Sequence, residues 1–104
     1  MQSTQQATIL ICAPHPDDAE IGMGGTILAC IAAGVRVVVL DLSNGEPTPF
    51  GTPEIRAEET AAASQLLGLS ERHMLAIKNR EIFDTIENRK KVATEIRKIN
   101  LAFM

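Results

Sequence analysis

Tryptophan and tyrosine are absent from this chain, and phenylalanine occurs three times, as Phe50, Phe83 and Phe103. At 3% aromatic residues there is no stacking platform for single-stranded nucleic acid. Positive charge is scarce too. Ten basic residues face thirteen acidic ones, and the net charge of −3 gives a phosphate backbone no electrostatic foothold. Nucleic acid is therefore not an expected partner. Cysteine is limited to Cys12 and Cys30, too few for a disulfide framework, and each lies in an apolar segment where core packing is the default. No apolar run approaches the roughly 18–20 residues of a membrane span. The opening Met1-Gln2-Ser3-Thr4-Gln5-Gln6 is polar and uncharged, unlike a signal peptide, so a cytoplasmic, reduced protein is expected. Intrinsic disorder is excluded as well, because 45% of residues are hydrophobic and 22% charged.

What is present is an alternation of strand and helix, expected to form a single domain over 1–104. Residues 7–13 (ATILICA) form a continuous apolar run, as for a strand buried on both faces. A loop from Pro14 to Gly25 follows, then a short apolar helix from Thr26 to Ala33 with Gly34 as its left-handed stop. Val35 to Leu42 is the most β-branched stretch and reads as the second strand. A Pro- and Gly-rich loop spans Ser43 to Gly51. Thr52-Pro53 has the form of an N-cap and first helical residue, for a helix from about Glu54 to Leu67 stopped by Gly68. His73 to Ile77 is a candidate third strand. Asp84 and Glu87 have capping-box spacing ahead of an apolar stripe, Ile86, Val92, Ile96 and Ile99. Leu101 to Met104 resembles the opening of a fourth strand.

Such alternation predicts parallel βαβ units, hence an α/β three-layer α/β/α sandwich with a Rossmann-like parallel sheet. Chemistry in these folds sits at the carboxyl ends of the strands. Here those ends are the loops at 14–25, 43–51 and 78–83.

The first of these loops carries His15-Pro16-Asp17-Asp18 directly after a strand. His15 and Asp18 lie three apart across a proline-stiffened turn, and imidazole and carboxylate are common zinc ligands. Asp17, between them, is placed to stay off a metal and accept a proton from water. Glycines 22, 24 and 25 suit tight turning and close backbone approach to a ligand. The same spacing also fits a proline turn with an aspartate capping the next helix and His15 simply solvated. A third reading takes Gly22-Met23-Gly24, with Asp41 at the end of the second strand, as a dinucleotide-binding Rossmann element. Against it, the third glycine of G-x-G-x-x-G is replaced by Ile27, and Asp17, Asp18 and Glu20 would repel a pyrophosphate.

Ala13-Pro14-His15-Pro16-Asp17-Asp18-Ala19-Glu20-Ile21-Gly22 resembles the HPDDxxxG signature of the LmbE-like, or PIG-L, zinc-dependent N-deacetylases. The likeness continues through Met23-Gly24-Gly25-Thr26, Asp41-Leu42-Ser43-Asn44-Gly45-Glu46, and Gly51-Thr52-Pro53-Glu54-Ile55-Arg56 with Glu58-Glu59. Within the family the chain is most similar to bacterial deacetylases of the bacillithiol-biosynthesis type. The resemblance implies a hydrolase that removes acetyl from an N-acetylglucosamine-type substrate, a small amino sugar. It implies Zn2+, or another divalent metal, on His15 and Asp18, with Asp17 as general base to an activated water. It also implies substrate contacts from Arg56 and, less closely matched, Glu46. Without it, those two residues read as an exposed helix charge and a turn residue.

The family's third zinc ligand is a histidine in an H-x-D-H segment after the fourth strand, which these residues do not contain; His73 is misplaced for it. Asn100 also runs straight into Leu101, where relatives carry a Pro-Asp step. Two expectations follow: the N-terminal portion of a larger deacetylase, truncated after the start of strand four, or a catalytically incomplete metal-binding or interaction remnant. With only Leu101 to Met104 to stand for strand four, the outer edge of strand one is expected to drive self-association.

Overall fold

Val37, Val38, Val39 and Leu40 are 0–1% exposed, and the whole sheet is arranged around them. They belong to the middle strand of a computed structural model that describes residues 7–46 and 52–99. Its elements are β1 (Thr8–Ala13), α1 (Asp18–Ala32), β2 (Arg36–Asp41), α2 (Pro53–Leu67), β3 (Glu71–Met74) and α3 (Ile86–Ile99). The strands are parallel in the order β1-β2-β3, with Thr8 opposite Arg36 through Ala13 opposite Asp41, and Val38 opposite Glu71 through Asp41 opposite Met74. Residues alternate between two apolar layers, as the period of a strand requires. Ile11, Ala13, Val37 and Val39 pack with Ala19 and Ile27 of α1, and Leu67 of α2 joins them. Leu40 packs the other way, with Leu75, Ile77, Leu10, Leu42 and Val92 of α3. Helices thus cover both faces, giving the expected α/β sandwich. Each fully buried Val or Leu contributes about 1.5–3 kcal/mol to holding it.

Four sequence expectations need correction, the last being the bounds of the third strand. The first concerns β1, which is not buried on both faces. Cys12 is exposed and Ile9 is 38% exposed, because α3 packs over β2 and the segment after β3, and β1 is the outer strand among the described residues. The second concerns α1, which begins at Asp18, eight residues before the predicted start at Thr26, so Gly22, Gly24 and Gly25 are interior helical residues. A Cβ at any of them would meet nothing within 4 Å, so none is needed for close approach. Three glycines cost a helix about 1 kcal/mol each. Anchoring of Ala19 and Ile27, 3% and 1% exposed, overrides that preference. The dinucleotide reading fails with the same observation, since the residues between β1 and α1 are Pro14 to Asp17 and include no glycine.

The third correction is the cap of α3. Thr85 Oγ1, not Asp84, accepts from the Asn88 amide at 3.1 Å. Asp84 instead accepts from Arg89 at 2.6 and 2.9 Å, and that guanidinium pulls its carboxyl below the usual range. The apolar stripe turns inward only from Val92, Ile86 being 69% exposed. The third strand lies at 71–74, two residues ahead of the predicted start. The caps of α2 are as expected: Thr52 Oγ1 accepts from the Ile55 amide at 3.2 Å, Pro53 opens the helix, and Gly68 ends it at φ 81°. Gly34 likewise follows α1 at φ 85°. The fourth-strand expectation at Leu101 to Met104 and residues 47–51 of the loop after β2 lie outside the described residues.

Candidate functional site

The carboxyl ends of all three strands meet at one edge of the sheet. Backbone bonds set their spacing: the Leu42 amide donates to Ala13 O at 2.8 Å, and the Leu75 amide to Asp41 O at 2.8 Å. Ser43 ties the first loop to the second. Its amide and its hydroxyl both donate to Pro14 O, at 3.1 and 3.2 Å, and its Oγ accepts from the Gly45 amide at 3.0 Å. Gly45 has φ +77°, a left-handed turn that glycine adopts without penalty, and a Cβ there would meet Pro16 at 3.7 Å and His15 at 3.9 Å.

That scaffold brings His15 and Asp18 together. The His15 amide donates to Asp18 Oδ2 at 3.0 Å, and the same oxygen lies 3.4 Å from His15 Nδ1. At ordinary zinc–nitrogen and zinc–oxygen lengths, two corners of a tetrahedral site stand about 3.4 Å apart. The pair therefore fits a metal ion. His15 Nε2 is engaged elsewhere, 2.7 Å from Asn79 Oδ1, while Asn79 Nδ2 donates to Gly45 O at 3.0 Å. Because the amide nitrogen is committed to that carbonyl, Asn79 Oδ1 is the acceptor and His15 Nε2–H the donor. In the neutral Nε2–H tautomer, His15 Nδ1 presents a lone pair beside a carboxylate oxygen, an arrangement that a cation between them would complete. Among the described residues no third His, Cys, Asp or Glu joins the pair to form a ligand triplet.

Asp17 stands beside this pair with a different role. It is the N-cap residue of α1 at φ 89°, yet its side chain makes no capping bond. Aspartate is one of the few residues that tolerate this left-handed conformation. Its carboxylate is more than half exposed, with Oδ2 3.8 Å from Arg56 Nη2. Arg56 comes from the first turn of α2, its Nε 3.7 Å from Glu46 Oε1. That Nε is buried and has no hydrogen-bond partner among the described residues. All five sequence-predicted site residues, His15, Asp17, Asp18, Glu46 and Arg56, are thus gathered at one edge. A cleft of about 720 Å³, bordered by Asn44, Glu46, Pro53, Met74, Lys78 and Asn79, opens at Glu46. That is the size class of small-molecule sites.

Other polar groups have structural partners. Asp41, fully buried at the end of β2, accepts from Arg72 Nε at 2.8 Å and Nη2 at 3.2 Å. Arg72 also donates to Glu20 at 2.9 and 3.1 Å and to Ser64 Oγ at 3.2 Å, joining α1, α2, β2 and β3. Burial pushes the Asp41 carboxyl up, with the Arg72 bonds opposing it. Burial lowers Arg72 in turn, but its bonds to Asp41 and Glu20 outweigh this and hold it above the usual arginine value. His73 sits between Glu71 at 2.8 Å and Glu95 at 3.1 Å, and Glu71 also pairs with Arg36. Sequence reasoning missed Arg72 and Asn79. For Asn79 the strand-end rule alone offered a signal, since residue 79 falls in the third such loop.

Residues 10–103 match the family model PIG-L, described as GlcNAc-PI de-N-acetylase. The diacetylchitobiose deacetylase of Thermococcus kodakarensis is 36% identical over 100 residues, covering 86% of this chain and 36% of that protein. A 1D-myo-inositol 2-acetamido-2-deoxy-alpha-D-glucopyranoside deacetylase of Actinosynnema mirum is 37% identical over 68 residues, 65% of this chain and 24% of that one. Among solved structures, a conserved protein from Thermus thermophilus superposes with a TM-score of 0.85 at 40% identity, over 93% of this chain and 44% of that one. The chain spans less than half the length of each of these relatives. No helix among the described residues is long and apolar enough to cross a membrane.

Proposed function

Because the chain belongs to the PIG-L family of de-N-acetylases, we propose that it carries the metal-binding and base-supplying part of a hydrolase that removes acetyl from an N-acetylglucosamine-type sugar. The substrate class rests on what the relatives' names share, a 2-acetamido-2-deoxyglucose unit, in diacetylchitobiose for one and on inositol for the other. The observation that carries the reading is the His15 Nδ1–Asp18 Oδ2 pair, 3.4 Å apart, with Asp17 adjacent and making no capping bond. His15 and Asp18 would hold a divalent ion, Zn2+ first, which when bound supplies Lewis-acid polarisation of the amide carbonyl and acidifies water.

The remaining work falls to the chain's own groups. Asp17 accepts a proton from the attacking water, and its carboxylate, more than half exposed and making no capping bond, is open to that transfer. The Arg56 guanidinium, held weakly at 3.7 Å by Glu46, donates to a sugar hydroxyl, and Glu46 beside it accepts from another. Hydrolysis breaks the amide C–N bond and releases acetate and a free amine. The test is acetate release from diacetylchitobiose by the chain, with and without a chelator and with Zn2+ restored. Loss with chelator and recovery with Zn2+ support the reading, and chelator-resistant turnover contradicts it.

A second reading is favoured by one observation: the described residues unite two donors, where a catalytic zinc usually takes three. On this reading the 104-residue chain binds metal without turning substrate over. Zinc binding with no acetate release would select it. We further propose a cytoplasmic protein that self-associates through the outer edge of β1, where Ile9 and Cys12 are open. Light scattering that returns a monomer would remove the last point.

A further inference from the structure

We propose that Asn79 is the positioning residue that keeps His15 Nδ1 free of its proton and facing Asp18. The inference rests on the metal reading of the His15–Asp18 pair. His15 has two competing acceptors, one at each ring nitrogen. Asp18 Oδ2 lies 3.4 Å from Nδ1, and Asn79 Oδ1 lies 2.7 Å from Nε2. A carboxylate is the stronger acceptor of the two, because charge-assisted hydrogen bonds exceed neutral ones about twofold. Left to that preference, the imidazole would carry its proton on Nδ1 and hand it to Asp18, and a protonated nitrogen cannot bind metal. The shorter contact to Asn79 places the proton on Nε2 instead.

Asn79 can do this because it is itself held. Its Nδ2 donates to Gly45 O at 3.0 Å, and the Gly45 amide donates to Ser43 Oγ at 3.0 Å. Ser43 Oγ in turn donates to Pro14 O, beside His15, at 3.2 Å. The amide cannot flip without facing its NH2 group at the imidazole N–H and its oxygen at a carbonyl. The loops after β2 and β3 therefore decide the tautomer of a residue in the loop after β1. This is the kind of outer hydrogen bond that orients a metal-binding histidine, whose loss costs about 10–100-fold in metal affinity.

The experiment uses the full chain and its Asn79→Ala, Asn79→Asp and His15→Ala variants, each checked for native fold by circular dichroism. Side-chain 1H–15N correlation spectra at a pH where imidazole is neutral report the His15 tautomer, and His15→Ala identifies its signals against those of His73. Zn2+ titration calorimetry gives affinity. Wild type is expected to show the Nε2–H tautomer. Asn79→Ala should gain the Nδ1–H form and bind Zn2+ about 10–100-fold more weakly. Asn79→Asp retains the acceptor, so it should keep the wild-type tautomer and lie closer to wild type in affinity. An Asn79→Ala protein with unchanged tautomer or unchanged affinity overturns the proposal, provided His15→Ala weakens binding. If His15→Ala binds Zn2+ as wild type does, the metal reading itself fails and takes this inference with it.

Discussion

Two arginines reach two clusters of carboxylates at the same end of the sheet, with opposite outcomes. Arg72 closes five hydrogen bonds of 2.8–3.2 Å onto Asp41, Glu20 and Ser64, and Asp41 is fully buried beneath it. Arg56 stands 3.8 Å from Asp17 and 3.7 Å from Glu46, leaving its Nε without a hydrogen-bond partner among the described residues and Asp17 more than half exposed. The residue types are the same and the finish differs. A closed network locks α1, α2, β2 and β3 together, while an unfinished one leaves donors and acceptors for something to bind. Unpaired, strained polar groups at a strand end are a better mark of chemistry than charge alone. Asp17 supplies the strain, with φ 89° and no cap bond, and Arg56 Nε the missing hydrogen bond.

The contrast breaks hardest at Asp17. In acetate-release assays Asp17→Asn should retain Zn2+ and lose about two to four decades of turnover, the usual worth of a general base. Loss of Zn2+ from that variant would make Asp17 a ligand instead.

Next in size is the closed cluster. Arg72→Met should cost about 3–5 kcal/mol in denaturant unfolding, because it strands Asp41 as an unpaired buried carboxylate. The opposite holds for Arg56→Met, expected to cost less than about 1 kcal/mol, as for other weakly paired ions, while raising KM. The first deficit should also depend on pH. Burial already pushes Asp41 up, and removing Arg72 takes away the bonds that oppose it. Folded Asp41 then keeps its proton at a pH where the unfolded chain has lost it. Stability of Arg72→Met accordingly rises as pH falls through the window above the ordinary carboxylate value, and its deficit against wild type narrows in acid. Equal deficits at acid and neutral pH would contradict this.

The smallest effect separates helix from loop at the start of α1. Gly25→Ala places a methyl where nothing lies within 4 Å, inside a helix, and should stabilise by about 0.4–1 kcal/mol in thermal unfolding. A destabilised variant would return Gly25 to the turning role that composition suggests.

Legibility from sequence followed the range of the interaction. Thr52, Pro53 and Gly68 act within one turn of themselves, and α2 is bounded as they imply. The β-branched run of β2 and the alternation of its neighbours announced the sandwich. His15 and Asp18 were legible for the same reason, since a three-residue spacing across Pro16 is settled locally. The start of α1 was not, because its glycines speak against a helix that Ala19 and Ile27 enforce by packing on the sheet. Arg72 meets partners 31 and 52 residues away, and Asn79 meets His15 across 64. Such pairs exist only after β3 has docked, and no local pattern encodes them. Family resemblance supplied Arg56 and Glu46, which spacing alone did not distinguish from surface charge.

Zinc titration of the wild-type chain against its His15→Ala variant tests the central claim, that His15 and Asp18 hold a divalent ion, most directly. The geometry predicts a single site in the wild type and its loss, or a drop of at least about tenfold in affinity, in His15→Ala, in line with removal of one of two ligands. Equal affinity in the two proteins would contradict it.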